Sequence, residues 1–368
     1  MMSSTPFPSS RRSPIILWLV LALGLVLVTL SLAEFALRMT GRVSTEGVHV
    51  ALAPTYDKIP GVFDPGQRVT ERPRVELAHR ISINSLGFRG REVMLEKSPG
   101  IFRILCLGDS FTFGSFVNDE DTFPHLLGET FPRRGMSVEV INGGVGGSTI
   151  IDQAYFLRKG LVMKPDLVLL TFSENDVDDL NKTVPLHVTM AANRKWKSGV
   201  MGPIYQVVRD TALFNFLLLA KAWYVDLMTP RAIVSVSSGA LAESDQLWDR
   251  YDEEFGRIEE FLKSQSIGLV FAVFPSDHRI GRPFEPGNRL ERARKVAERY
   301  GVPVIDLLTP LQGSRLPSTE LYLLPYDGHP SRRGYGIVAD AMSSYLISHG
   351  LLGKPFSGRM ASESQPSP

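Results

Sequence analysis

The sequence predicts an α/β protein with a mainly parallel sheet of five strands, preceded by one apolar N-terminal helix. Two observations predict the sheet. From Arg103 onward, short apolar runs alternate with longer stretches of helical pattern. Most of the links between them are short, which implies parallel strands joined by right-handed crossovers. A third observation points to where the chemistry lies. Three successive apolar runs end in polar or glycine-rich clusters, and in an open α/β sheet ligands sit beyond the carboxyl ends of the strands.

Composition sets the outer bounds. The chain has 368 residues, enough for one large domain with attachments or two small ones. Its 40 Lys and Arg against 39 Asp and Glu give no basic footprint for nucleic acid. A hydrophobic fraction of 43% allows a sizeable core. The single cysteine, Cys106, excludes an internal disulfide and any Cys-x-x-Cys site. Inside an apolar strand it reads as a small buried residue.

Taken in order, Met1 to Ser13 is polar and is expected to be a cytoplasmic tail. Ile15 to Ala33 follows without a charge. At about 19 residues it is long enough to cross a bilayer and longer than the apolar part of a cleavable signal. The expectation is a transmembrane anchor over residues 14–35, although Ser31-Leu32-Ala33 has the small residues of a cleavage site. Arg11 and Arg12 before the span nearly balance Arg38 and Arg42 after it. The short tail favours a cytoplasmic N-terminus, with the bulk of the chain outside, periplasmic or extracellular.

Residues 36–100, with Pro54, Pro60, Pro65 and Pro73, read as a stalk and lead-in. Within it Ile81 to Asn84 alternates like a strand, and Leu86-Gly87-Phe88-Arg89-Gly90 turns after it. The main domain is expected over 101–350. Its predicted strands are Arg103–Leu107, Val138–Asn142, Leu167–Phe172, Gly268–Phe274 and Val302–Leu307. Its predicted helices are Thr122–Phe131, Asp152–Met163, Asp245–Lys263, Arg289–Tyr300 and Ser331–Ile347. An insertion over 177–244 interrupts the pattern and holds a Ser/Gly-rich patch at 235–239. It also holds an apolar segment, Thr211–Met228, which Lys221 and Asp226 break too often for a membrane crossing. At 100° per residue, Asn215, Ala222 and Asp226 share a narrow face, with Phe214, Leu217, Leu218 and Val225 largely around the other side. That apolar side either packs on the domain or forms a lid against a bilayer or acyl chain. The tail over 351–368 is expected to be disordered.

Four clusters carry the chemistry. Gly108-Asp109-Ser110 follows the first strand, and Asn142 to Gly147 is the glycine-rich end of the second. Glu174-Asn175-Asp176 follows the third, and Asp327-Gly328-His329-Pro330 precedes the last helix. Acyl transfer needs a nucleophile, a base and donors for an oxyanion. Ser110 offers the nucleophile and His329 a base that Asp327 can orient. The Ser110 N–H, the Gly147 N–H and the Asn175 amide offer the oxyanion donors. A blander reading makes Ser110 the cap of the following helix, and Asp109 reads as a structural carboxylate. The glycines lack the Lys-Ser/Thr of a P-loop and do not match GxGxxG. The remaining histidines (His49, His79, His125, His187, His278 and His349) lack metal-ligand spacing and read as core or surface residues.

These four blocks, in this order, resemble the SGNH/GDSL hydrolase family. The resemblance runs from about Ile81 to His349 and is similar in particular to bacterial members with one N-terminal span and a Leu-Gly-Phe-Arg-Gly lead-in. It implies a flavodoxin-like three-layer sandwich and esterase or acyl-hydrolase activity without metal or cofactor. It implies Ser110 as nucleophile, His329 as base, and Gly147 and Asn175 as oxyanion donors. Two positions depart from the pattern. Ser173 stands where the asparagine block usually opens with glycine, and Asp327 lies two residues before the histidine rather than three. The expected substrate is a small ester or an O-acyl group on a carbohydrate or cell-envelope component, met outside the membrane. An O-acyltransferase using the same Ser–His pair, or a catalytically silent glycan-binding scaffold, is the alternative.

Overall fold

A computed structural model describes residues 14–40, 58–71, 76–181, 184–197, 203–204, 207–208, 211–228, 245–282 and 288–353. The N-terminal tail, His49, the Ser/Gly-rich patch and the C-terminal tail from residue 354 lie outside the described residues. The first helix, α1 (Pro14–Thr40), leaves its apolar side chains exposed along most of its length. Within it Ile16–Thr40, with a mean hydropathy of 2.7, is long and apolar enough to cross a membrane. Those properties belong to a membrane span and to a signal sequence alike.

Two short strands precede the main sheet. β1 (Arg68–Glu71) and β2 (His79–Ser82) form an antiparallel pair. Around them Val62, Phe63, Val69, Ile81, Ile83 and Phe88 are buried in the core of the main sheet, so the lead-in residues packed there belong to the same unit as that sheet. The main sheet has five parallel strands: β3 (Phe102–Leu107), β4 (Val138–Asn142), β5 (Leu167–Ser173), β6 (Gly268–Phe274) and β7 (Val304–Asp306). Their spatial order is β4-β3-β5-β6-β7.

The central strands β5 and β6 are buried at every residue and read as nearly unbroken apolar runs because both faces of the sheet are covered there. On one face Leu105, Leu107, Val168, Leu170, Phe172 and Phe271 meet α4 (Ile150–Gly160), α8 (Asp245–Ser264) and α9 (Arg289–Arg299). On the other, Ile104, Cys106, Leu169, Val270 and Phe274 meet α3 (Phe123–Arg133) and α12 (Arg332–Ser348). Odd and even residues of one strand thus enter different layers. Cys106 is fully buried, and burial pushes its thiol pKa up, so it is inert packing. Arg103 is 1% exposed yet satisfied by Glu139 and the carbonyls of Met94, Leu95 and Met163.

Between β5 and α8 come α5 (Asp176–Asp179), α6 (Leu186–Lys197) and α7 (Ala212–Met228). Between β7 and α12 come α10 (Leu308–Gly313) and α11 (Ser318–Leu321). The helix after Ser110, α2 (Ser110–Phe113), is a single turn ended by Gly114, and the longer helix expected over Thr122–Phe131 follows from Phe123. One turn aligns few peptide dipoles, so α2 gives Ser110 little macrodipole support. In α7 the facing left open by the sequence is decided at two positions: Asn215 is 1% exposed, whereas Leu217 is 58% exposed, so the packing of Leu217 on the domain is not found and its side turns outward.

Candidate active site

The chain passes from β3 to its neighbour β4 and then returns past β3 to reach β5. The carboxyl ends of β3 and β5 therefore flank the point where strand order reverses, where a crevice opens in such sheets. Ser110 leaves the first of these strands and Asn175 the second.

Close packing delivers Ser110 to this crevice. Asp109, not Ser110, caps α2, its Oδ1 accepting from the Phe111 N–H at 2.9 Å. The glycine loop lies directly against the turn. Val145 N–H and the Ser148 hydroxyl both donate to the Gly108 carbonyl, at 3.0 and 3.1 Å. A Cβ on Gly144 would strike the backbone of Thr112 and Phe113, so this approach needs glycine. Gly147 takes φ +74°, a second conformation that favours glycine. A Cβ on the intervening Gly146 would sit 3.9 Å from the Ser110 Cβ, which brings the loop beside the serine.

His329 arrives from the opposite end of the sequence. Its Nε2 lies 2.8 Å from Ser110 Oγ, and its Nδ1 lies 2.5 Å from Asp327 Oδ1. The short Asp-x-His spacing makes an Asx-turn, with Asp327 Oδ1 also accepting from the His329 backbone N–H at 2.8 Å. One carboxylate oxygen thus fixes both backbone and ring. With Nδ1 protonated toward Asp327, Nε2 is an acceptor aimed at the serine hydroxyl. Phe111 and Phe116 flank the ring, with centroids 5.1 and 5.2 Å away. Phe116 holds φ +65°, a conformation rare for a bulky residue, while its ring packs on the histidine.

Asn175 is drawn into a network of acids. Its Nδ2 lies 3.2 Å from Asp109 Oδ2 and 3.4 Å from Asp179 Oδ2. Asp109 Oδ2 also accepts from the Ser173 hydroxyl at 2.7 Å and lies 3.4 Å from Ser110 Oγ. The Ser173 hydroxyl is 3.3 Å from Asp176 Oδ1, and Asp176 Oδ2 accepts from the Ser173 N–H at 3.1 Å. Asp176 is fully buried. Burial, then the neighbouring Asp109, raises its pKa well above 3.8. The Ser173 hydroxyl thus lies between the two carboxylates, at 2.7 Å from Asp109 and 3.3 Å from Asp176. Ser173, the departure from the family's glycine, is therefore a working link in this chain. The adjacent Glu174 is buried and accepts from Arg279 Nη2 at 2.8 Å and from the Ser276 N–H at 3.1 Å.

The sequence reading passed over Arg89. Its buried guanidinium donates to the carbonyls of Phe113, Gly114 and Val117 at 3.0, 2.6 and 2.7 Å, and to Asp119 at 2.8 Å. The Leu-Gly-Phe-Arg-Gly motif thus holds the far side of the serine turn. Its signal was an arginine in an otherwise apolar turn, where only the missing partners concealed its purpose. A cavity bounded by Arg91, His125 and β4 lies on this lead-in side, and neither Ser110 nor His329 lines it.

A second histidine–aspartate pair joins α4 to α6. His187 Nδ1 lies 2.7 Å from Asp152 Oδ1, which also accepts the His187 backbone N–H at 2.9 Å. Asp152 Oδ2 accepts from the Thr149 N–H and hydroxyl, both at 3.0 Å. The His187 ring stacks on Tyr155 at 4.7 Å and 14°.

The family model for GDSL-like lipases and acylhydrolases matches residues 106–337. This chain belongs to that family. It is accordingly a hydrolase acting on ester bonds, and the matched region spans all four sequence blocks. Among solved structures, the acylhydrolase is similar to a lipase/acylhydrolase from Enterococcus faecalis. That match has 18% identity over 70% of this chain and 100% of that one, with a TM-score of 0.40. It is similar to Axe2, an acetylxylan esterase from Geobacillus stearothermophilus, at 15% identity over 70% and 97%, TM-score 0.39. It is also similar to the psychrotrophic esterase EstA from a Pseudoalteromonas species, at 12% identity over 68% and 98%, TM-score 0.40. No curated protein matches the sequence.

Proposed function

We propose that the protein cleaves an O-acyl ester through an acyl-enzyme on Ser110. The observation that carries this reading is the line from Asp327 through His329 to Ser110, with contacts of 2.5 and 2.8 Å. His329 Nε2 takes the hydroxyl proton as Ser110 Oγ attacks the acyl carbon, and Asp327 orients the imidazole and stabilises its protonated form. The carbonyl oxygen becomes an oxyanion, met by the N–H groups of Ser110 and Gly147 and the Asn175 amide. The imidazolium returns its proton to the leaving alkoxide, and the alcohol departs. Water then attacks the acyl-serine with His329 again as base, releasing the acid and restoring the hydroxyl. For Asn175 to serve, its amide turns toward the oxyanion from Asp109 and Asp179, which it contacts at 3.2 and 3.4 Å.

The anchor reading of α1 sets the setting: a single span with the hydrolase outside the cytoplasmic membrane. That location and the family resemblance support an acylated carbohydrate of the cell envelope as substrate. A fluorophosphonate probe tests the mechanism on the intact protein. Wild type should be labelled at Ser110 and Ser110→Ala should not. Release of free acid without an alcohol acceptor is expected, and strict dependence on an acceptor would make the enzyme a transferase.

A further inference from the structure

The insertion between β5 and α8 meets the N-terminal helix, and the contact is specific. Glu34 of α1 accepts from the first two amides of α7: Ala212 N–H to Oε1 at 2.9 Å and Leu213 N–H to Oε2 at 2.8 Å. These are donors that a helix cannot satisfy within itself, and a carboxylate complements the positive end of the dipole. Arg38 secures the same carboxylate from the next turn of α1, at 2.6 Å. The level of this contact is informative. A crossing of about 20 residues that starts at Ile16 ends near Phe35, so Glu34 sits where the helix leaves the hydrocarbon. The start of α7 is thereby held at the membrane boundary.

The exposed face of α7 suits that position. Leu217 is 58%, Tyr224 55% and Phe216 43% exposed. At 100° per residue Leu217 and Tyr224 lie about 20° apart, with Phe216 about 80° from Tyr224 and about 100° from Leu217. Lys221 is exposed and lies about 40° from Leu217, where its stem can follow apolar surface and its ammonium can reach lipid phosphate. The polar residue Asn215 faces inward instead. Exposed large apolar side chains also concentrate elsewhere in the insertion, at Ile204 and Val207, whereas the rest of the described hydrolase exposes only Met94, Leu95 and Val162.

We propose that α7 is a second membrane contact, lying in the headgroup–acyl boundary of the bilayer that α1 crosses, with Phe216, Leu217 and Tyr224 in the lipid. This rests on the anchor reading. Glu34 couples the two elements, so the hydrolase is held against the bilayer at two points instead of hanging from one.

The test uses the full chain in phospholipid nanodiscs holding one copy each. Cys106 is fully buried, so an environment-sensitive thiol dye reports only introduced cysteines. Dyes at Leu217→Cys, at Leu23→Cys in α1 and at Val162→Cys on the hydrolase surface are quenched separately by nitroxide lipids and by aqueous iodide. The dye at 217 should be quenched severalfold more by nitroxide lipid than the dye at 162, and less by iodide. Glu34→Ala should reduce lipid quenching at 217 while leaving it unchanged at 23. Iodide quenching at 217 equal to that at 162, with the dye at 23 still in lipid, overturns the α7 contact and leaves the anchor standing. Iodide access at 23 overturns the anchor itself. Protection of 217 from both quenchers puts protein, not lipid, on this face and overturns the proposal.

Discussion

The described residues contain two histidine–aspartate pairs with the same inner geometry. In each, one aspartate oxygen accepts the histidine backbone N–H and faces Nδ1 of the same ring, at 2.8 and 2.5 Å in Asp327–His329 and 2.9 and 2.7 Å in Asp152–His187. What differs is the far side of each ring. His329 stands between two phenylalanines with Nε2 on a serine hydroxyl, whereas His187 lies flat on Tyr155. The aspartates differ as well. Asp327 belongs to the histidine's own turn, while Asp152 comes from 35 residues away and also accepts two donors from Thr149. An Asp–His contact alone therefore does not assign a role. The same pair closes a helix junction in one place and, in the proposed mechanism, moves a proton in the other.

The comparison breaks most sharply under truncation of the rings. Ser110→Ala and His329→Ala should each lower kcat by more than about 10²-fold on a simple acyl ester, with the double variant little worse because the two act as a unit. His187→Ala should leave kcat nearly unchanged and destabilise the fold by about 1 kcal/mol, the worth of a hydrogen bond. If His187→Ala alone silences the enzyme while it stays folded, the roles assigned to the two pairs are wrong. Next comes Asn175→Ala, expected to lower kcat by about 10²–10³ with little change in KM, as for one lost oxyanion donor. A rise in KM with kcat intact would make Asn175 a substrate contact instead.

The aspartates sharpen the contrast further. Asparagine also forms Asx-turns, so Asp327→Asn should keep its loop and lose activity by permitting the wrong imidazole tautomer. The loss in kcat should exceed about tenfold yet be smaller than that of His329→Ala. Asp152→Asn should lower Tm and spare kcat. Equal activity in Asp327→Asn and wild type would leave a Ser–His dyad. Asp176→Asn should have the smallest effect. Because burial raises its pKa above 3.8, the native state holds a proton that the unfolded chain releases. This contribution is present below the unfolded pKa and is lost as pH rises. The asparagine carries no proton to lose, so its urea midpoint should gain on that of wild type as pH rises above about 4, the ordinary carboxylate range. A difference that stays flat or falls with pH would mean that Asp176 is ionised in the native protein.

Much of this was legible in the sequence because both faces of the sheet are buried. Val138–Asn142 and Gly268–Phe274 were bounded to the residue, since an apolar run that stops at Gly143 or at Pro275 leaves little choice. The partners of Ser110 could be named from block order, as strand ends must converge on one edge. Elements tied down by distant polar groups were not legible. β1 is four residues of mixed polarity, and α6 begins on a carboxylate supplied by α4. The Asp109–Ser173–Asp176 chain needs contacts across 64 and 3 residues at once. The facing of α7 stayed open for a physical reason: periodicity separates polar from apolar sides, but only tertiary structure says which of them meets the protein.

Arg89 bears on where this enzyme can be divided. The family match begins at Cys106, inside a strand, yet the carbonyls that shape the serine turn are held by a residue 17 positions upstream of it. A transplant of residues 106–337 would carry Ser110, Asn175, Asp327 and His329 but leave three carbonyls and Asp119 without their guanidinium. The inheritable unit is longer than the recognisable one. Any exchange of parts between relatives has to keep Arg89 and the lead-in residues Val62, Phe63 and Phe88 that pack in the core, and not cut at the edge of the recognisable motifs.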